Sequence, residues 1–165
     1  MALQERPTGI SVGHDPPSAK GGLRYAIPPY GLNPPLNHML IEQETITEPK
    51  KLMSRQLDEA IFRYCTFEGF RAEGGHAAGA LLSCTLRNLD IYWGLFNLCV
   101  FVECQFENCT FRGTGFPGSK FVECSFIGCR FVKDNLGGDC TFNDARWYQC
   151  TQRGCEGLGS HVPMA

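Results

Sequence analysis

The side chains best equipped for chemistry in this 165-residue sequence are ten cysteines and four histidines. A structural or catalytic zinc site is signalled by paired ligands such as C-x-x-C. None occurs here: Cys99, Cys104, Cys109, Cys124 and Cys129 stand five residues apart or a multiple of five, and His14, His38, His76 and His161 are scattered. No metal is therefore expected. In a short secreted chain, ten cysteines would suggest a disulfide framework. The opening MALQERPTGISVGHDPP has no charged-then-apolar leader, and the cysteines hold a fixed phase. Reduced, buried thiols behaving as small hydrophobes are the expectation. Gly113-Thr-Gly-Phe-Pro-Gly118 matches G-x-G-x-x-G by letter, but that motif needs a strand before it and a helix opening at its end. Asn108-Cys-Thr110 is a sequon that matters only in a secreted chain. With no nucleophile elbow, Ser-His-Asp motif or P-loop, neither an enzyme nor a cofactor is expected.

The cysteine spacing is one half of a larger pattern. Phenylalanines fall at Phe101, Phe106, Phe111, Phe116, Phe121, Phe126 and Phe131, and two places before them stand Cys99, Cys104, Cys109, Thr114, Ser119, Cys124 and Cys129. Neither the 3.6 period of a helix nor the 2.0 period of a strand produces fives, so the chain must be read as an internal repeat. FVECQFENC at 101–109 returns as FVECSFIGC at 121–129, which adds a second period of twenty. Upstream, Phe62 and Phe67 hold the central position, but Phe67 to Leu86 is nineteen residues, one short of four repeats. The glycine-bearing EGFRAEGGHAAG between them predicts a protruding loop or irregular corner over 68–79. From Leu86 the phase runs through Ile91 and Phe96 to Leu136, slips by one residue at Gly137-Gly138-Asp139, continues at Cys140/Phe142 and Ala145/Trp147, and fades at Cys150/Gln152 and Cys155/Gly157.

The elements around the repeat differ in kind. Pro7, Pro16, Pro17, Pro28, Pro29, Pro34, Pro35 and Pro49 crowd the first part of the chain, so 1–46 reads as an irregular arm, either disordered or docked along the body, with a short strand possible from His38 to Thr47. Thr47 as N-cap, Glu48 and Pro49 in a first turn, and the stripe Met53, Leu57, Ala60 predict a helix of about three turns from 48 to 58, within a capping segment 47–60. Such a helix would cover the open end of a repeat array. Residues 158–165 read as a loose tail.

The run CTF, CVF, CQF, CTF, CSF, CRF, CTF at five-residue steps resembles the pentapeptide-repeat family, whose members repeat A(D/N)Lxx and often carry cysteine and phenylalanine instead. The resemblance covers about 57–157. It implies an all-β solenoid, a right-handed quadrilateral β-helix with one repeat per side and 20 residues per coil. Residues twenty apart then stack at about 4.8 Å, the spacing of neighbouring strands. The ladders expected are Leu86, Phe106, Phe126, Trp147; Ile91, Phe111, Phe131; Phe96, Phe116, Leu136; and Leu81, Phe101, Phe121, Phe142. Cysteine ladders follow as Cys84, Cys104, Cys124 and as Cys109, Cys129, Cys150, all as free thiols. Pointing outward are an apolar column Leu82, Val102, Val122 and an acidic column Glu103, Glu123, Asp144, with Tyr92 and Trp93 as exposed aromatics of the kind that anchor interfaces. That column is a solvated face or a groove for a partner or the arm.

Function is expected on those outward positions. Net charge is −2, and no run of eighteen apolar residues occurs, so no nucleic-acid or membrane partner is expected and a cytoplasmic place is. The resemblance implies a non-catalytic protein-binding scaffold of a bacterial cell, an adaptor or a toxin-neutralising immunity protein. Its partner would be another protein, a toxin or a secretion component. The alternative is the family's gyrase-binding, quinolone-protecting branch, which resembles DNA in shape and charge. From residue 62 onward, ten acidic residues against nine basic ones are a poor likeness of DNA.

Overall fold

A computed structural model describes residues 39–54 and 58–163. The chain divides into Met1–Pro35 and Leu36–Ala165; the described residues belong to the second unit, and most of the expected arm lies outside them.

The described chain is an all-β solenoid with four faces, each a ladder of parallel strands. Its first face stacks β1 (Leu40–Glu42), β3 (Ala60–Arg63), β7 (Gly79–Leu82), β11 (Val100–Val102), β14 (Lys120–Val122) and β17 (Arg146–Tyr148). The second stacks β2 (Thr45–Ile46), β4 (Thr66–Glu68), β8 (Thr85–Arg87), β12 (Gln105–Glu107), β15 (Ser125–Ile127) and β18 (Thr151–Arg153). β5 (Arg71–Glu73), β9 (Asp90–Tyr92), β13 (Thr110–Arg112) and β16 (Arg130–Val132) make the third. On the fourth, β6 (His76–Ala77) pairs with β10 (Leu95–Phe96), and single bridges carry the ladder on through Gly115 and Thr141.

Three-residue strands point only their middle side chain inward, so a phenylalanine every fifth residue supplies one ring per face. Rings on the same face stack: Phe101 on Phe121 at 4.8 Å, Phe106 on Phe126 at 4.6 Å, Phe111 on Phe131 at 4.8 Å and Phe96 on Phe116 at 5.0 Å. Successive faces meet edge to face, as Phe101 and Phe106 do at 62°. Both arrangements suit the ring quadrupole, and burying each ring is worth about 1.5–3 kcal/mol before entropy. In the unbroken repeat from Phe101 to Phe126 the corners turn on a left-handed residue two places after the ring, among them Glu103 (φ 53°), Asn108 (φ 50°) and Gly113 (φ 53°). Corner amides from Glu103 to Gly128 donate to the following coil, as from Glu103 to the Val122 carbonyl at 2.9 Å, which offsets the cost of a positive φ.

Five expectations are corrected. No three-turn helix forms over 48–54: Pro49–Lys51 makes a single 3-10 turn, η1, with no side-chain cap at Glu48; residues 55–57 lie outside the described set. Leu52 and Met53, adjacent in sequence, are both buried, which a helical stripe through Met53 does not provide. The solenoid also begins earlier than 57, since β1 and β2 pair with β3 and β4. Residues 68–79 are not a loop. β5 and β6 carry Ala72 and Ala77 as the inward residues, and Phe70 and Met53 are buried in the same core. The missing residue lies between Ala77 and Leu81.

The fourth correction concerns the last coil. Eleven positions separate Phe131 from Phe142 in place of five, because the segment Lys133–Asp139 holds six added residues, one repeat plus one. Leu136 is 79 % exposed rather than a core rung, and Phe142 takes its place on Phe116 at 5.3 Å. Everything after it moves by one face. Trp147 stacks on Phe121 at 4.1 Å, not in the Phe126 ladder, where Gln152 stands instead. Cys150 accordingly joins the ladder Cys65, Cys84, Cys104, Cys124, and Cys155 follows Cys109 and Cys129.

Fifth, 158–163 is a lid, not a loose tail. Leu158 and Val162 are fully buried, Gln152 Nε2 donates to the Val162 carbonyl at 2.5 Å, and the His161 ring lies on Phe142 and Trp147. The final coil would otherwise expose its rings.

Candidate functional site

The thiols serve the coil. All ten are free. Cys104 Sγ donates to the Leu81 carbonyl at 3.3 Å and Cys109 Sγ to that of Leu86 at 3.2 Å, each reaching back to an inward residue of the previous coil. Ser119 Oγ does the same to Phe96 at 2.9 Å and Thr114 Oγ1 to Ile91 at 3.2 Å. This position therefore asks for a small side chain with one donor, which is why Cys, Ser and Thr interchange there. Burial pushes the Cys99 thiol up to about 12, and thiol hydrogen bonds from its ladder neighbours followed by burial raise Cys104. Hydrogen bonds from neighbouring thiols lower Cys84 to about 7 and Cys124 to about 4. Both sulfurs belong to residues only 1 % exposed. The less buried Cys140 and Cys155 are raised by burial. Exposure and activation do not coincide at any of the ten, and a reactive cysteine needs both.

Nor does other chemistry assemble. Phe116 within the glycine-rich match is a buried rung, and Gly113 and Gly118 are corner residues. His76 Nδ1 lies 2.9 Å from Asp58 Oδ1. Among the described residues, no three metal-binding side chains come together and no helix is long and apolar enough to cross a membrane.

The predicted contact residues separate into three places. Tyr92 and Trp93 sit at the corner between the third and fourth faces, 4.7 Å apart by ring centroids. They are the foundation of the Lys133–Asp139 insertion, a link that spacing could not reveal. Trp93 Nε1 donates to Asp134 Oδ2 at 2.5 Å, and the Tyr92 hydroxyl bonds Asn135 Oδ1. Asp134 Oδ1 accepts the amides of Leu136 and Gly138, both at 2.8 Å, and its own amide donates to the Gly138 carbonyl at 2.9 Å. The Trp93 hydrogen bond, then the backbone amides, hold this carboxyl below its usual value. Gly113 makes room: a Cβ there would meet Asp134 Oδ2 at 2.7 Å, and its φ of 53° suits glycine. The result is a folded loop that presents Leu136 to solvent beside an indole still 43 % exposed.

Val102, Glu103, Val122 and Glu123 lie on and beside the first face, where Val102 pairs with Val122 and Leu82. Ser83 Oγ donates to Glu103 at 2.8 Å. Asp144 does not belong to this column. It turns the corner after Phe142, and the insertion places Gln149 above Glu123 instead. The acidic column is thus two glutamates, not three carboxylates.

This coil geometry has a counterpart among known families. The family model for pentapeptide repeats matches residues 99–136 with eight copies. Residues 99–136 carry pentapeptide repeats. Among solved structures, similar chains include a pentapeptide repeat protein, Rfr23, from the cyanobacterium Cyanothece 51142, 8 % identical, over 71 % of this chain and 83 % of that one, with TM-score 0.46. Another is a trypsin-treated form of QnrB1, a plasmid-mediated fluoroquinolone resistance protein, 14 % identical over 68 % of this chain and 53 % of that one, with TM-score 0.31. No curated protein matches the chain. The pentapeptide-repeat match ends inside the insertion, at Leu136.

Proposed function

We propose that this chain is a non-catalytic protein-binding scaffold of a bacterial cell, an adaptor or a toxin-neutralising protein. Its contact element is the Lys133–Asp139 loop on its Tyr92–Trp93 foundation. One observation carries this reading: Leu136 is 79 % exposed at the tip of a loop whose fold Asp134 organises. An apolar side chain held out on an ordered loop loses little entropy on binding, and the adjacent indole is the type of group that dominates interfaces. The partner would be a protein with an apolar socket. Ion pairs of both signs on the second and third faces, Arg87–Glu68 and Arg112–Asp90 among them, favour a protein partner over a role as a DNA mimic.

A photo-crosslinking residue at position 136, with one at Thr151 on the second face as control, tests this in bacterial cells. A discrete protein adduct from position 136 alone is expected. Adducts equal at both positions, or none at 136, would count against the loop.

A further inference from the structure

Among the described residues, the strands follow a charge rule with one exception. Wherever strand pairing sets two charged side chains side by side, their signs are opposite: Glu42 beside Arg63, Arg87 between Glu68 and Glu107, Arg71 beside Asp90, and Arg130 beside Glu156. The corner residues Glu103 and Glu123 lie outside these pairings. Lys120 beside Arg146 breaks the rule. Both are exposed, and neither forms an ion pair with the corner carboxylates Asp144 and Glu123 or with any other described residue. Like charges directly opposite destabilise a sheet. The insertion creates the conflict, because its six added residues bring Arg146 rather than Cys140 above Lys120.

The pair suits a carboxylate. Arg146 Nη1 donates to the Ala145 carbonyl at 3.2 Å, which steadies the guanidinium and leaves Nε and Nη2 for a planar anion. The backbone adds nothing, since the Lys120 and Arg146 amides are spent on the Cys99 and Ser119 carbonyls. A phosphate site draws on such amides, and nucleic acid or an anionic membrane needs a longer run of cations. Two exposed cations hold a free anion only weakly, so the carboxylate must come on a protein held by other contacts. Those contacts lie next to the pair. The fourth face presents Leu95, Asn97, Gly115, Pro117, Thr141 and Asn143, none of them charged. Trp93 and the loop stand at one of its corners and Leu98, 66 % exposed, at the other, two residues from Lys120 through Gly118, where a Cβ would meet Leu98 Cδ2 at 2.6 Å.

We infer that the partner bound by the Leu136 loop reaches across the fourth face and sets an aspartate or glutamate on Lys120 and Arg146. This rests on the loop reading and adds the sign of the partner's charge. The cations steer and orient the partner, while the apolar contacts hold it.

Photo-crosslinking residues at position 143 on the fourth face and at position 136 test this in bacterial cells. Both are expected to trap the same protein, with an Asp or Glu in the segment trapped from 143. K120E/R146E reverses both charges yet keeps a like-charged pair, and should lower the adduct at 143 by about tenfold or more, whereas K120R should retain it. An undiminished adduct in K120E/R146E, or none at 143 while 136 gives one, overturns this inference and leaves the loop reading standing. So does a trapped segment without an acid, a second copy of this chain, or nucleic acid. No adduct at 136 ends both. Circular dichroism keeps a folding defect from being read as lost contact. In the isolated chain, R146E restores opposite signs and should raise the urea midpoint at low salt, a gain that high salt removes. An unchanged or lower midpoint would leave no repulsion to relieve and would also overturn the inference.

Discussion

Residues 99–131 and the insertion that follows them are neighbours in sequence built on opposite rules. In the first stretch, every fifth side chain enters the core and every small residue before it donates to a carbonyl of the previous coil. None of these inward residues is free to vary without disturbing the stack. In the second, six added residues contribute no buried side chain, and order comes from one carboxylate that gathers an indole and two amides. The repeat thus holds up the molecule, while the insertion, tied to it at one corner, can change its exposed residue at little structural cost.

The sharpest way to break this contrast is in the core. Phe106→Ala removes a ring stacked on Phe126 and edge-on to Phe101 and Phe111, and should cost about 3–5 kcal/mol in urea unfolding. A loss below about 1 kcal/mol would mean that the ladders pack far less tightly than they are drawn here. Cys104 offers a finer test. Cys104→Ala leaves the Leu81 carbonyl without its thiol and should cost about 1–2 kcal/mol, whereas Cys104→Ser keeps a donor, as Ser119 does, and should cost less. Serine that destabilises more than alanine would show that the thiol counts only as apolar volume.

Asp134→Ala should leave the unfolding transition in place yet remove hydrogen-exchange protection from the Leu136 and Gly138 amides. The same amides report on pH. Because the folded state lowers the Asp134 pKa, its contribution is fully present above the ordinary carboxylate value of about 4 and is lost as pH falls through the lower folded value. Protection should thus be retained from neutral pH down to about 4 and decline below it. A decline already under way at pH 6 would remove Asp134 from its organising role.

Much of the fold was legible because the core obeys a short period. Phe101 to Phe131, their small partners and the twenty-residue coil are direct consequences of residue type and spacing. Three parts escaped that reading for physical reasons. Ala72 and Ala77 are inward residues, but their short side chains carry little periodic signal. The insertion adds five residues plus one, and five is invisible to a period of five. Leu136 therefore keeps perfect phase in sequence and stands in solvent, while Trp147 and Asp144 each move by a face. The lid at Leu158 and Val162 lies where the period has ended, so nothing local marks it. Tyr92 and Trp93 were readable as outward aromatics. That Trp93 bonds Asp134, 41 residues downstream, and Tyr92 bonds Asn135 follows only from the shifted register. The one advance hint was Asp134 itself, two and four residues before amides it could cap.

The account rests most heavily on the claim that the loop, not the repeat, engages another protein. The direct measurement is capture from bacterial lysate by the full chain and by Leu136→Asp, with equal unfolding transitions verified for both. The account predicts a discrete bound protein that the wild-type chain retains and Leu136→Asp loses. The same bound set for both chains would contradict it.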